Sequence, residues 1–267
     1  MEQPKNNFKI VSEKKARMIL PNAITLIGVC IGLSSIKFAL DGKFALAVIA
    51  ILFARISILK NFSQVWVPGE LQRHFALKLG FDKNRIKSGF YTANTPIFEK
   101  KYLINRKARM DNVPKRFLFV GRYVKEKGIL ALWNTYKLYK EGGGTWDLWC
   151  VGTGALWDER PNIEGLKHFG FVQPGGIPKI IEKCGVYVLP SYFEPWGVSV
   201  HEMAAAGLPL ILSNKIGSRS QFLSEGQNGF SFDAGNLSAL KIIFHKIEKL
   251  DSCEMARMSQ KSHELAM

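Results

Sequence analysis

The first sixty residues differ in hydrophobic pattern from the rest of the chain. A basic tail over residues 1–16 is followed by Met18 to Ile36, which contains no charged residue. A polar break at Asp41-Gly42-Lys43 separates this run from a second apolar one, Phe44 to Leu59. About 20 apolar residues are needed to cross a bilayer core as a helix. Residues 17–59 are therefore predicted to form two apolar, membrane-spanning helices, with a pair of buried helices in a soluble protein as the alternative.

From Asn61 onward, apolar runs of strand length alternate with runs of helix length. Residues 60–110 are assigned to one region. Strands are predicted there at Ser63–Val67 and Lys87–Tyr91 and a helix at Glu70–Leu79, and a polar, basic linker follows from Asn94 to Asp111. Over residues 111–267 the predicted strands are Arg116–Val120, Trp146–Val151, Val186–Leu189 and Leu208–Leu212, and the predicted helices are Gly128–Lys140, Ile177–Cys184, Gly197–Ala206 and Asn236–Leu250. This alternation predicts an α/β fold with a doubly wound parallel sheet. Such sheets bind ligands at the carboxyl ends of their strands.

Composition and charge narrow the class of partner. Of the 267 residues, 47% are hydrophobic, which excludes a disordered protein. The formal charge of +15 indicates an anionic partner. Nucleic acid is not the predicted partner, because no basic run with interleaved aromatic residues marks a nucleic-acid groove. The excess of cations fits anionic lipid better. The four cysteines are scattered without a CxxC pair, so neither disulfides nor a zinc site is predicted.

A glycine and several cations follow the first strand predicted for this sheet. They lie in the segment Gly121-Arg122-Tyr123-Val124-Lys125-Glu126-Lys127-Gly128. Helix N-termini and cationic side chains both favour negative charge, so the segment is a candidate for binding a diphosphate. A solvated Lys/Glu turn is the alternative interpretation of these residues taken alone.

Two carboxylates lie in the segment from Pro190 to Pro209, which leaves another predicted strand. Glu194 precedes the predicted helix and Glu202 lies about two turns inside it. The two side chains can therefore hydrogen-bond different hydroxyl-bearing parts of one ligand. The amides of Gly197 and Val198, at the helix start, are left free for phosphate. For any two glutamates eight apart, an N-terminal cap and a helix-surface residue are the alternative.

Three segments, in this order, resemble those of the family-4 (group 1) retaining glycosyltransferases. Gly121-Arg122 to Lys127-Gly128 resembles their basic diphosphate motif. Glu194 to Glu202, with Pro-Trp-Gly-Val and Met-Ala-Ala-Ala-Gly-Leu-Pro around them, closely resembles their E-x7-E signature. Glu225-Gly226-Gln227-Asn228-Gly229-Phe230 resembles their later E-G-x-N-G turn. The similarity covers residues 61–250.

The resemblance implies a GT-B fold of two Rossmann-like domains and transfer of a sugar from a nucleotide-diphosphate sugar with retention. The implied catalytic residues are Arg122 and Lys127, which would neutralise the diphosphate leaving group without a metal, and Glu194, which would hold donor-sugar hydroxyls. Glu202 would bind the ribose. The other implied donor-binding residues are Gly170, Phe171 and Val172, whose backbone would meet the base, and Gly121, Gly197, Val198 and Ser199. No cofactor is implied beyond the nucleotide sugar, and the acceptor is a polysaccharide, a lipid or a small molecule.

The first of the two Rossmann-like domains is predicted to be truncated. Only Asn61 to Phe98 matches its last strand–helix–strand portion. Where the earlier part of that domain is expected, Arg17 to Ala50 instead resembles the start of a phosphatidylserine synthase of the CDP-alcohol phosphatidyltransferase family. That family's Asp-Gly-x-x-Ala-Arg motif is absent, and Asp41-Gly42 is interpreted as a hairpin turn. A fusion of two truncated genes would place the junction near Phe53 to Leu59.

The charges around the N-terminal apolar runs predict where the protein resides. Basic residues flank the outer ends of the two runs, whereas the break between them is nearly neutral. The positive-inside rule then puts both termini in the cytoplasm. The prediction is a membrane-associated protein with its donor domain in the cytoplasm, or a cytoplasmic protein if the hairpin does not belong to it.

The sequence is compatible with three functions. The first is an enzyme of glycosyl transfer that acts at the membrane face. The second is a fragment that binds a nucleotide sugar without turnover, because half of the cleft is missing. The third is a membrane protein of phospholipid synthesis, against which the absent metal motif argues.

Replacing Glu202 by alanine is expected to weaken nucleotide binding, because a ribose hydroxyl pair would lose its acceptor. The expected loss is about 1–3 kcal/mol, or roughly five- to 150-fold in the Kd measured by calorimetry. Unchanged affinity in this variant would show that the ribose assignment is wrong.

Overall fold

The structure is a computed structural model that describes residues 62–89 and 93–267, together with a few positions between 37 and 49. Its strands are β1 (Val65–Val67), β2 (Ile86–Ser88), β3 (Arg116–Val120), β4 (Asp147–Val151), β5 (Leu166–His168), β6 (Val186–Leu189), β7 (Leu210–Ser213) and β8 (Gly229–Phe232). Its helices are α1 (Glu70–Lys78), α2 (Thr95–Asp111), α3 (Ile129–Glu141), α4 (Ile177–Ile181), α5 (Val198–Ala205), α6 (Arg219–Phe222), α7 (Leu237–Glu248) and α8 (Ser252–Ala266). The chain divides into two compact units, and the larger one comprises residues 67–73 and 88–267.

The smaller unit contains the N-terminal part of the chain. Its strands β1 and β2 form a two-stranded sheet. The turn predicted at Asp41-Gly42 is present, with Gly42 in the left-handed region at φ 72°. Most of residues 17–59, where the two membrane-spanning helices were predicted, lies outside the described residues. Among the residues that the structure describes, no helix has both the length and the apolar content that crossing a bilayer requires.

The larger unit is built on a six-stranded parallel sheet with strand order β5-β4-β3-β6-β7-β8. The chain first builds outward from β3 in one direction, then returns to β6 on the other side of β3 and builds outward in the opposite direction. This is the strand order of a doubly wound Rossmann fold, so the predicted fold class is confirmed for this unit.

The central strands form because they are apolar on both faces. All four residues of β6 and of β7 are buried, as are Phe117, Leu118 and Phe119 in β3. A parallel sheet with helices on both faces requires this composition. Phe117 stacks on Phe244 of α7 with 4.1 Å between ring centroids, which joins the sheet to one helical layer. The core is therefore centred on β3 and β6, the two strands that also border the candidate site.

The prediction that residues 94–111 form a linker is wrong, because Thr95–Asp111 is the helix α2. Phe98 and Tyr102, one turn apart, are both buried. Tyr102 stacks on His263 of α8, with ring centroids 4.0 Å apart, and Lys101 forms an ion pair with Glu182. Tertiary packing of two aromatic side chains thus stabilises a helix whose remaining residues are largely polar.

The strands β5 and β8 and the helix α8 were also missed in the sequence. β5 has only three residues, one of them a lysine, and gives no detectable apolar run. Helix α8 begins with a capping box, in which Asp251 and Glu254 each bond the other's backbone amide. This Asp-x-x-Glu pattern was the available sequence signal for its start.

Gly128 brings the turn after β3 against the end of β6. It is in the left-handed region, at φ 69°, where the 3₁₀ turn Lys125–Lys127 meets α3. A Cβ atom at this position would lie 2.2 Å from the Pro190 carbonyl oxygen. The amides of Tyr192 and Phe193 both donate to the Glu126 carbonyl, at 2.8 and 3.3 Å. Only glycine permits this approach, and the approach sets the geometry of the site.

Replacing Gly128 by alanine is expected to destabilise the protein far more than the same change at Gly143. Both glycines have positive φ, but nothing lies within 4 Å of a Cβ at Gly143. The control variant should lose about 1–2 kcal/mol from backbone strain. Gly128→Ala adds overpacking against backbone, about 1–3 kcal/mol more. Urea unfolding followed by tryptophan fluorescence measures both, and equal losses would contradict the close approach.

Candidate functional site

The candidate site lies at the carboxyl edge of the sheet, where β3 and β6 are neighbours. The connection after β3 leads to β4 on one side and the connection after β6 leads to β7 on the other. Their divergence opens a crevice, which is the usual ligand site of such sheets. Residues 121–128 and 190–197 therefore form the two walls of the candidate site.

An ion pair joins these two walls. Lys127 Nζ donates a hydrogen bond to Glu194 Oε2, and the side chains are only 20% and 11% exposed. Partial burial strengthens the attraction between the two charges. The pair shows that a cation and a carboxylate from two distant segments reach the same point of the crevice.

The Glu194 segment is held by backbone contacts on its other side. The Glu194 amide donates to the Lys215 carbonyl at 3.2 Å, and the Gly217 amide donates to the Glu194 carbonyl at 2.9 Å. Gln72 Nε2 donates to the Pro195 carbonyl at 2.7 Å. These bonds fix the backbone that carries Glu194, so the carboxylate is positioned before a ligand arrives.

Helix α5 begins at the carboxyl edge with free amides. Gly197 precedes it in the left-handed region at φ 94°, and the first turn closes with the Val200 amide donating to the Gly197 carbonyl at 2.9 Å. The amides of Val198 and Ser199 come before any acceptor inside the helix, so they can bind an anion. The hydroxyl of Ser199 lies 2.8 Å from that of Tyr187 in β6.

Glu202 lies on α5 without a compensating partner. Within the described part of the chain, its carboxylate has neither a hydrogen-bond donor nor an ion-pair partner. Burial raises the pKa of the Glu202 carboxyl above its ordinary value of 4.5. Burial, and secondarily the carboxylates Glu194 and Glu202, also raise the pKa of Tyr187. A half-buried acceptor with unused lone pairs is suited to hydroxyl donors from a ligand.

A cavity of about 320 Å³ opens at the ends of β3 and β4. Four of the predicted residues line it, namely Gly121, Arg122, Phe171 and Val172. Arg122 is exposed, and within the described residues its guanidinium has no ion-pair or hydrogen-bond partner. Gly152 also lines the cavity, and a Cβ atom there would lie 1.9 Å from the Gly121 carbonyl oxygen. The cavity thus combines an apolar wall with a free cation.

The segment after β5 completes this cavity. Gly170 has φ 70°, and its carbonyl accepts a hydrogen bond from the Gly152 amide at 2.8 Å. The next residue, Phe171, is 68% exposed at the cavity wall. An exposed aromatic ring on an apolar cavity can stack against a flat ligand.

The predicted residues thus fall into three adjoining groups at one edge of the sheet. Lys127 and Glu194 form the ion pair. The start of α5 carries Gly197, Val198, Ser199 and Glu202, and the cavity has Gly121, Arg122, Gly170, Phe171 and Val172 at its wall or beside it. The roles assigned to these residues remain predictions, but their convergence is a property of the fold.

Sequence reasoning missed two contributors. Tyr187 has the appearance of a core residue within an apolar strand, and nothing in the sequence shows that its hydroxyl would meet Ser199. Gly152 belongs to a GxG that was too weak a signal on its own. In the described residues, no group of three or more His, Cys, Asp and Glu side chains is placed to hold a metal ion.

Comparison with known proteins shows which family the chain resembles. The family profile of the glycosyl transferases group 1 matches residues 101–264. An uncharacterised 41.2 kDa protein of the Klebsiella pneumoniae cps region is 25% identical over 92% of this chain and 67% of its own. The capsular polysaccharide biosynthesis glycosyltransferase CapM of Staphylococcus aureus is 30% identical over 63% of this chain and 46% of its own. The chain spans between about a third and a half of the length of several such curated relatives, from 35% to 49%.

Solved structures share the fold. Anabaena Alr3699/HepE in complex with UDP and glucose superposes with a TM-score of 0.61 at 16% identity, over 81% of this chain and 61% of that one. The C-terminal domain of the Francisella tularensis group 1 glycosyl transferase LpcC superposes with a TM-score of 0.53 at 15% identity, over 65% of this chain and 96% of that one. The described sheet therefore has the architecture of a GT-B glycosyltransferase.

Glu202→Gln is expected to change how stability depends on pH. The folded-state pKa of Glu202 lies above its unfolded value, so the folded protein holds this proton more tightly between the two values. The free energy of unfolding of the wild type therefore falls as the pH rises through that window. Glutamine does not titrate, so the free energy of unfolding of the variant does not show this fall. The variant is therefore expected to be more stable than the wild type at neutral pH, and the difference between them should shrink near pH 4.

Urea unfolding at a series of pH values measures the effect. Glu159→Gln, on an exposed turn, serves as the control and should show no such pH-dependent difference. A Glu202→Gln variant less stable than the wild type at neutral pH would contradict the uncompensated burial of the carboxylate.

Proposed function

The chain belongs to the glycosyl transferases group 1, and from this we propose that it transfers a sugar from a nucleotide-diphosphate sugar to a glycan or lipid acceptor with retention. The observation that carries the proposal is the Lys127–Glu194 pair, which places a cation and a carboxylate together in the crevice between β3 and β6. A nucleotide sugar has both complementary parts, an anionic diphosphate and a hydroxyl-bearing sugar joined to it.

Charge neutralisation of the leaving group is the chemical task of the cations. When the bond between the sugar and the diphosphate breaks, negative charge builds on the phosphate oxygens. Arg122, Lys127 and the amides of Val198 and Ser199 would stabilise that charge without a metal ion. Because these groups are fixed before the reaction, little reorganisation is needed at the transition state.

Donor binding would also release Glu194. In the free protein its carboxylate is paired with Lys127. When Lys127 turns to the diphosphate, Glu194 becomes available to accept hydrogen bonds from the sugar hydroxyls. The sugar is thereby held beside the phosphate bond that is to be broken.

The nucleoside end of the donor fits the remaining groups. The base would enter the cavity lined by Val172 and Phe171, and Glu202 would accept both ribose hydroxyls. The unused lone pairs of Glu202 support this assignment, as does the exposed ring of Phe171. Anabaena Alr3699/HepE, which shares the fold, was solved in complex with UDP and glucose. Uracil is therefore the first base to test.

A donor-binding protein without turnover is the second candidate. It is favoured by the kind of groups at the candidate site, since the cations, the carboxylates and the apolar cavity described there are all suited to holding a donor. The acceptor side of the cleft in a GT-B protein comes from its other domain. We propose that part of residues 60–110 belongs to such a domain.

We propose that the N-terminal segment and the rest of the chain have a common origin, in contrast to the gene fusion expected from the sequence. The Klebsiella alignment takes in 92% of the chain, so only about 8% of the 267 residues lies outside it. Most of residues 17–59 must therefore be aligned with the same protein as the rest of the chain, which argues against a fused phosphatidyltransferase segment. A membrane-associated location with a cytoplasmic donor domain remains a hypothesis that rests on the uncharged run of residues 18–36.

Calorimetry of the full chain with UDP, GDP and ADP, together with hydrolysis of the matching nucleotide sugars, tests the proposal. Lys127→Ala is expected to lower turnover roughly 100- to 1,000-fold, the usual cost of losing one group that stabilises transition-state charge. Lys125→Ala, on the same turn but exposed, is the matched control and should stay near the wild type.

The outcomes separate the two candidates. Binding with hydrolysis supports the transferase, and binding without it supports the donor-binding protein. Failure of all three nucleotides to bind would contradict both. An equal loss of turnover in the two lysine variants would argue against a specific role for Lys127.

A further inference from the structure

The outer face of α2 has an arrangement that the donor site does not explain. Ile97, Lys100, Ile104 and Lys107 recur at intervals of three and four residues, so they form one stripe along the helix. Ile97 and Ile104 are 42% and 61% exposed, and the adjacent Leu103 is 49% exposed. A surface helix normally turns its apolar residues inward, as α2 does with Phe98 and Tyr102. This helix therefore has a second apolar stripe, mixed with cations, that faces outward.

A groove of about 810 Å³ between α2 and α8 continues this face. Leu103, Arg106 and Lys107 line it from α2, and Cys253, Ala256 and Arg257 line it from α8. The floor contains the ring of Tyr102, which is held by its stack on His263. The groove thus has an apolar floor and a cationic rim.

The positive charges of this rim are not neutralised by the protein. Within the described residues, Arg106, Lys107 and Arg257 have no carboxylate within ion-pair distance, and Arg257 contacts only the sulfur of Cys253, at 3.6 Å. The acid at the groove, Glu264, is engaged by Lys261 at 3.6 Å and by Gln260 at 2.9 Å. Three free cations therefore surround an exposed apolar surface.

We propose that the α2–α8 face, defined as the stripe and the groove together, is a docking surface for an anionic lipid membrane. Lys and Arg next to exposed Ile and Leu are the pattern of helices that lie in a membrane interface, with the apolar side chains among acyl chains and the cations at lipid phosphates. Each such cation contributes to attraction by an anionic leaflet. With a length of about 25 Å for its 17 residues, α2 can lie along the surface.

The position of this face is compatible with catalysis. Ser259 of α8 donates to the carbonyl of Gly207, which precedes β7 at the amino edge of the sheet. The C-terminal end of α8 runs along α5, where the Ala266 carbonyl lies 2.9 Å from His201 Nε2, so the N-terminal half of α8 lies toward the amino edge. Residues of both halves line the groove. Docking through the α2–α8 face leaves the candidate donor site uncovered, and it does not depend on residues 17–59.

A fluorophore on Cys253 reports the groove itself. Cys150 and Cys184 are buried whereas Cys253 is exposed, and Cys30→Ser removes the thiol that lies outside the described residues. The full chain labelled with an environment-sensitive dye is titrated with phosphatidylcholine vesicles, with and without phosphatidylglycerol. A blue shift is expected only with the anionic vesicles and should be reversed by high salt.

Two variants test the charges against a matched control. Arg106→Gln/Lys107→Gln/Arg257→Gln is expected to weaken vesicle binding roughly 100-fold, given the usual contribution of each cation near an anionic leaflet. Lys137→Gln/Lys179→Gln/Lys183→Gln removes the same charge from exposed positions elsewhere and should lose less than about fivefold. Leu103→Ser should reduce the size of the blue shift, and thermal unfolding checks that each variant folds.

Several results would overturn the proposal. These are no shift with anionic vesicles, an equal shift with neutral vesicles, or equal losses in the two triple variants. A membrane contact made only by residues 17–59 would leave the Cys253 dye unshifted and would count against the α2–α8 face. A dye that shifts only when a soluble protein is added would identify a protein interface instead.

Discussion

The candidate site depends on how closely two turns approach each other at the centre of the sheet. The turn after β6 donates two backbone amides, those of Tyr192 and Phe193, to the Glu126 carbonyl in the turn after β3, and Gly128 packs against the Pro190 backbone. Neighbouring parallel strands alone would bring these turns to the same edge, but not into contact. The left-handed conformation of one glycine closes the remaining distance, and Lys127 then meets Glu194.

The polar groups of the site are unequally compensated in the free protein. Lys127 and Glu194 neutralise each other, whereas Arg122 and Glu202 have no such partner among the described residues. A ligand with a diphosphate and several hydroxyls would satisfy all four groups at once. Burying Glu202 without a partner costs free energy of folding, as its raised pKa indicates. The proposed hydroxyl acceptor is therefore also a position that lowers the stability of the free protein.

The sequence allowed the sheet and the candidate residues to be predicted because both are encoded locally. Apolar strands such as Val186–Leu189 are contiguous, and Glu194 and Glu202 lie within one short segment. What could not be predicted depends on contacts between distant segments. Helix α2 is polar over most of its length and is stabilised by Tyr102 packing on α8. The Tyr187 hydroxyl borders the candidate site only because Ser199 folds against it. The predicted N-terminal hairpin falls largely outside the described residues.

The packing of α2 has a consequence for how donor domains of this kind can be exchanged between enzymes. A Cβ atom on Gly207, in the turn that follows α5, would lie 2.3 Å from the Tyr102 ring, so α2 fits against the very helix that carries Glu202. A recombination point placed at the first strand of the sheet would sever this contact and expose an apolar seam. Chimeric enzymes would need to inherit the two segments together, with the crossover placed upstream of Thr95, for the transplanted module to keep its candidate site rigid.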